Sequence, residues 1–167
     1  GFSREDALFF DIAHEGAQVR AVGQAAHLLE GLHGMQPRSV VVLATDQVAA
    51  AAARAVATFA APLEVPVVVV DVLPAYIGAL DVVVVVGDNA GREQDLRGLL
   101  TAADRGAETI LAGPKQGPLL EDAPQAATVI PALPDTAGAS PLRTCAVVGA
   151  VPVSYTHLRA HETPEHL

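Results

Sequence analysis

Leu80-Asp-Val-Val-Val-Val-Val86-Gly-Asp-Asn-Ala-Gly-Arg92-Glu93 decides the fold. Five valines stand in a row between Asp81 and Gly87. A strand with one wet face alternates apolar and polar residues. An unbroken β-branched run is a strand covered on both faces, as in parallel sheets flanked by helices. The polar loop after Val86 leads into a predicted helix, Arg92 to Arg105, which Gly106 closes. Working outward, Ser39 to Ala44 and Val67 to Val72 repeat the buried-strand pattern. Between them Gln47 to Ala61 reads as a helix, capped by Thr45 or Asp46 and stopped by Pro62. Pro74 to Leu80 is a connector carrying Tyr76. Downstream come a strand at Thr109 to Ala112, a turn at Gly113-Pro114, one helical turn at Pro118 to Asp122 and a strand at Thr128 to Ile130. Pro131 to Pro141 is loop, and Leu142 to Val151 opens a further apolar element. Upstream, Ile12, Val19, Val22, Ala26 and Leu29 give Asp11 to His33 a helical stripe, ended by Gly34 and Pro37. Strand and helix alternate, so the expected architecture is α/β: a doubly wound, mainly parallel five-stranded sheet with helices on both faces. The expected divisions are a helical segment over 1–34 and an α/β domain over 35–152.

Composition sets limits on function. The 167 residues are 51% hydrophobic and 4% aromatic, so the core of a single domain must be built mostly from Ala and Val. Ten Lys and Arg against nineteen Asp and Glu give a net charge of −9, which leaves little from which to build a nucleic-acid-binding face. One cysteine, Cys145, excludes a disulfide framework and a cysteine zinc site, and its apolar surroundings suggest a buried structural thiol. Gly1 to Asp11 carries acids and lacks a basic signal region. No apolar run approaches the ~20 residues that span a bilayer. A cytoplasmic domain with no membrane partner is expected.

The last fifteen residues differ from the rest. They hold three of the six histidines, His157, His161 and His166. Val153-Ser-Tyr-Thr-His-Leu-Arg-Ala-His-Glu-Thr163 resembles a translated frame of a sequencing-library transposase adapter. Residues 153–167 are therefore expected to be non-native and lie outside fold reasoning. Their removal changes the net charge only to −8, through loss of Arg159, Glu162 and Glu165. His161-Glu162 with His166 misses the His-Glu-x-x-His spacing of a zinc-protease helix by one residue, and Pro164 breaks the helix. No metal site is expected.

Ligands of open parallel sheets sit at the carboxyl ends of the strands. Two loops lie there: Ala44-Thr45-Asp46-Gln47 and Gly87-Asp88-Asn89-Ala90-Gly91-Arg92-Glu93. Helix starts offer free N–H groups and a positive dipole end. Gly87 and Gly91 let the backbone approach a ligand, Asn89 adds amide donors, and Arg92 adds a charged fork suited to phosphate. Thr45, Gln47, Gly87, Asn89, Gly91 and Arg92 are the candidate binding residues. Glu93 is the candidate base for proton transfer beside a carbonyl. Each has a plainer role as well: Asp46 as a helix cap, Gly87 to Gly91 as a turn, Glu93 as dipole compensation. Neither Gly-x-Gly-x-x-Gly nor Gly-Lys-Ser/Thr occurs, so no nucleotide cofactor is expected.

Leu73-Pro-Ala-Tyr76-Ile-Gly-Ala-Leu80, the valine strand, Glu93 and Ala102-Ala-Asp-Arg-Gly-Ala-Glu108 occur in that order. This order resembles the sugar isomerase (SIS) domain, which implies a phosphosugar ligand. With Gly16-Ala-Gln-Val-Arg20 and Gly113-Pro-Lys-Gln-Gly-Pro-Leu119 the chain looks like the actinobacterial phosphoglucose/phosphomannose isomerase-like proteins. The resemblance runs from about Leu8 to Pro152. It implies a partner as well: a second SIS domain of the parent chain, which carries the catalytic base and acid, or a homodimer partner. The family's loop after the third strand is Ser-x-Ser-Gly-x-Thr-x-Glu-like. Here Gly87 stands at the first Ser, Asn89 at the second, Ala90 at the Gly and Arg92 at the Thr. The family's Gly-Gly-Ser turn after the first strand is replaced by Ala44-Thr45-Asp46-Gln47, and Asp46 would repel phosphate if aimed inward. Three functions stay open: a phosphosugar-binding domain of an isomerase-like parent, inactive alone; a non-catalytic regulatory SIS protein; and a partner-binding α/β module without a small ligand.

Overall fold

The computed structural model describes residues 37–59, 65–88, 92–132, 141 and 143–151. The expected helix Asp11 to His33, with His14, His27 and His33, lies outside them, as do Asn89, Gly91 and the tail 153–167. Five strands form one sheet: β1 (Ser39–Ala44), β2 (Val67–Val70), β3 (Asp81–Val86), β4 (Glu108–Ala112) and β5 (Thr128–Val129). Every pairing is parallel, and the spatial order is β2-β1-β3-β4-β5. The helices are α1 (Gln47–Phe59), α2 (Glu93–Asp104), the single turn α3 (Pro118–Glu121) and α4 over 143–151.

The valine runs are covered on both faces. Val40, Val42, Val82, Val84, Val86, Ile110 and Ala112 point to one side, where Ala53 of α1 and Val147, Val148 and Val151 of α4 cover them. Val41, Leu43, Val83, Val85 and Leu111 point to the other, under Leu99 and Ala102 of α2 and Leu119 of α3. Small residues let the helices lie close. A Cβ at Gly98 of α2 would stand 3.0 Å from Leu43 Cδ1. Gly106 takes φ +84 and ends α2 as the sequence predicts.

The central strands match their expected limits to within a residue, and the edges do not. β2 ends at Val70, two residues before the expected Val72. It pairs with β1 alone, over Val67 to Val70, and the Asp71 carbonyl accepts instead from Gln94 Nε2 at 3.2 Å. The apolar run left unassigned at Leu142 to Val151 is helical over 143–151. At the opposite end of the sheet from the strands' carboxyl termini, Asp81 is fully buried. It accepts from Arg38 Nη2 at 2.7 Å, Arg38 Nε at 3.1 Å, Ser39 Oγ at 3.0 Å and the Gly78 N–H at 3.0 Å.

Candidate functional site

The strand order reverses between β1 and β3. Connections from β1 and β3 leave on opposite faces, opening a crevice at their carboxyl ends where ligands of such sheets bind. Asp46 opens α1: its Oδ1 accepts the Ala49 N–H at 2.8 Å, so Asp46 is the cap. Its Oδ2 accepts the Asp88 N–H at 3.1 Å, tying the loop after β1 to the loop after β3. Thr45 is buried, with Oγ1 3.5 Å from the same Oδ2. Gly87 has φ +150, and a Cβ there would overlap Thr45 Oγ1 and stand 2.8 Å from Asp46 Oδ2. Glycine is therefore what lets the Thr45 and Asp46 side chains close against the end of β3.

A cavity of about 630 Å³ opens above this floor. Thr45, Gln47 and Arg92, three of the predicted binding residues, line it together with Asp46, Arg54 and Asp71. Gly87 lies behind its floor. Arg54 reaches it from α1, and Arg92 from the start of α2, across the crevice. The Arg54–Asp71 ion pair is long, 3.8 Å, and both side chains are more than half exposed; such pairs contribute little. Arg92 leans on buried Asp95, with Nε 3.5 Å from Oδ2, and the same oxygen accepts the Arg92 N–H at 2.9 Å. Glu93 does not share the cavity. It is 85% exposed, accepts from Arg97 Nη2 at 2.6 Å, and lines a separate groove with Gln94, Arg97 and Arg105.

Two arginines were missed by the sequence reading. Arg54 follows Gln47 by seven residues, two helical turns, so Gln47, Ala50, Ala51 and Arg54 form one stripe of α1 facing the cavity. That spacing could have found it. Arg143 gave no such signal, because it opens an apolar run. It is buried, and its guanidinium donates to Asp88 Oδ1 at 3.4 Å, the Ala112 carbonyl at 3.4 Å and the Ile130 carbonyl at 3.2 Å. Arg143 thus binds α4 to the carboxyl ends of three strands. Burial pulls its pKa down and Asp88 pushes it back; a guanidinium stays charged regardless. Cys145 is half-buried, with Sγ 3.8 Å from the Ala52 carbonyl. Among the described residues no group of three or more His, Cys, Asp or Glu is placed to hold a metal, and no helix is long and apolar enough to cross a membrane.

No protein-family model matches the sequence. No curated protein matches it either. Solved structures do match. The sugar isomerase domain of the RpiR transcription factor from Sphaerobacter thermophilus superposes with a TM-score of 0.60 at 17% identity, over 96% of each chain. The fold is that of a sugar isomerase domain. Protein c3406 of E. coli CFT073, solved in complex with a phosphosugar, has a TM-score of 0.59 at 18% identity over 95% of this chain and 94% of its own. CD3275 of Clostridium difficile 630, a candidate phosphosugar isomerase, reaches 0.63 at 11% identity. That match takes in 99% of this chain and 49% of CD3275, so the chain spans about half that protein's length. At these identities the likeness is one of fold, and the sugar isomerase fold places the crevice described above.

Proposed function

We propose that this chain is a phosphosugar-binding domain whose ligand occupies the crevice between α1 and the start of α2. One observation carries the reading: Thr45, Gln47, Arg54 and Arg92 surround a single cavity at the carboxyl end of β1, where the strand order reverses. Two guanidinium groups supply charge for a phosphate, and Thr45, Asp46 and Gln47 supply partners for hydroxyls. The phosphosugar complex of c3406 and the phosphosugar isomerase descriptions of other neighbours favour the same ligand class. Asn89 and Gly91 remain proposed contacts from the loop after β3. In the finer reading, the parent is a cytoplasmic phosphoglucose/phosphomannose isomerase-like protein, and this chain binds without turning over. Glu93 is a poor base for that chemistry, since it faces Arg97 and solvent. A second reading, a ligand-sensing regulator, is favoured by the RpiR domain, which aligns over nearly its full length.

Thermal unfolding with fructose 6-phosphate tests the common core. A ligand at 100 times its dissociation constant stabilises by about 2.7 kcal/mol, which shifts the melting temperature by several degrees. Binding without interconversion of glucose 6-phosphate and fructose 6-phosphate is expected. No shift at millimolar ligand would reject the proposal.

A further inference from the structure

Which part of the crevice takes the phosphate? The backbone donors at a strand-to-helix turn are the usual seat for an anion. Here they are already engaged. Asp46 gives one carboxylate oxygen to the Ala49 N–H and the other to the Asp88 N–H, at 2.8 and 3.1 Å. An entering phosphate would have to break both bonds and lie against a like charge. The cavity's other wall is different. Arg54 and Arg92 each carry five N–H donors, and their ion pairs with Asp71 and Asp95 are long, at 3.8 and 3.5 Å, with both guanidinium groups more than half exposed.

Resting on the phosphosugar reading, we infer that the Asp46 carboxylate is a built-in anion filling the amide cleft between β1 and β3, so that the ligand's phosphate is held by Arg54 and Arg92 and its hydroxyls face Asp46. A carboxylate has about four lone-pair sites. Two are used by N–H groups, which leaves acceptors for hydroxyls on a residue that already lines the cavity. Gly87 keeps the arrangement in place, because any larger residue would push Thr45 and Asp46 out of the cleft. Asp46 and Arg54 together would then fix which way round a sugar phosphate lies.

The test uses the full 167-residue chain and two probes, inorganic phosphate and fructose 6-phosphate, by calorimetry and amide NMR. Asp46→Ser should raise affinity for inorganic phosphate about tenfold or more, because two amides at a positive helix end are released. Arg54→Gln should weaken fructose 6-phosphate about tenfold in the parent chain, yet leave the phosphate affinity of the Asp46→Ser chain unchanged. Asp46→Gly is the second variant, since glycine at a helix cap costs only a few tenths of a kcal/mol. Without any substitution, the Ala49 and Asp88 amide resonances should stay fixed during a fructose 6-phosphate titration while the Arg54 and Arg92 Nε–H signals move. Unchanged phosphate affinity in both Asp46 variants, or movement of those two amides with ligand, would overturn the inference. If the parent chain binds no fructose 6-phosphate, the functional reading falls. The gain of phosphate affinity on removing Asp46 then still reports on the filled cleft by itself.

Discussion

Asp81 stands at the foot of the sheet and shows how one side chain sets a strand's start. Its carboxylate is fully buried at the first position of β3 and gathers donors from Arg38, Ser39 and Gly78. Burial pushes its pKa up, but the hydrogen bonds from Arg38, Gly78 and Ser39 together outweigh that and hold it below the usual carboxylate range. A group whose pKa is lower folded than unfolded binds fewer protons in the native state. Its contribution is therefore whole above the unfolded value of about 3.9, and is lost as pH falls through the folded value. Asp81→Asn should destabilise by about 1–3 kcal/mol near neutral pH, because buried Ser39 and Gly78 donors lose a charged acceptor. The gap between the two proteins should narrow on acidification below about pH 4, in urea unfolding curves measured side by side. A constant gap down to acid would mean that the carboxylate's charge does nothing. From sequence, Asp81 was legible only as the strand's boundary. Its burial depends on Arg38, more than forty residues away along the chain, and local patterns do not carry such pairings.

At the scale of elements, the valine runs were the most legible feature. β1 and β3 needed no periodicity, since both their faces are covered, and their limits were legible because Asp81, Gly87 and Thr45-Asp46 punctuate them. β2 was over-extended because an edge strand ends where its single neighbour stops pairing. α4 was not recognised as a helix because ten residues of mostly apolar sequence fit either period; only its buried positions, 143, 144, 147, 148 and 151, reveal the helical stripe. In the site, Thr45, Gln47 and Arg92 were legible from loop chemistry and do meet, whereas Glu93 turned to the neighbouring groove, because adjacent helical residues face about 100° apart. Close packing yields the element-scale prediction. Gly98 is where α2 touches Leu43 of the sheet. Gly98→Ala should be nearly neutral: a helix gains about 1 kcal/mol from the change, and a Cβ 3.0 Å from Leu43 Cδ1 offsets it by crowding. Gly98→Leu has no such balance and should cost about 1–3 kcal/mol by overpacking. Thermal unfolding separates the two; equal stability of all three proteins would show that α2 does not rest on the sheet there.

For the whole molecule, the decisive feature is that a sheet without aromatic residues in its core must be closed on both faces by small-residue helices. One face depends on the last described element. Val147, Val148 and Val151 of α4 are fully buried against Val82, Val84 and Ile110, and Arg143 ties the same helix to the ends of β4 and β5. Each such valine contributes roughly 1.5–3 kcal/mol by burial, so α4 carries an amount comparable with the roughly 5–15 kcal/mol by which a whole domain is stable. A chain stopped after Ser140 should therefore lose cooperative unfolding and bind a hydrophobic dye. We propose, from the adapter-like run at Val153 to Thr163, that residues 153–167 add nothing to this core. A chain stopped after Pro152 should then melt within about 2 °C of the full chain, the shift expected from well under 1 kcal/mol in a domain this size. The pair of truncations separates the helix from the tail. If the chain ending at Pro152 melts far below the full chain, the tail is part of the fold. If the chain ending at Ser140 still unfolds cooperatively near the parent's midpoint, the sheet does not need α4 to cover it, and the two-sided burial of its valines cannot be what holds the molecule together.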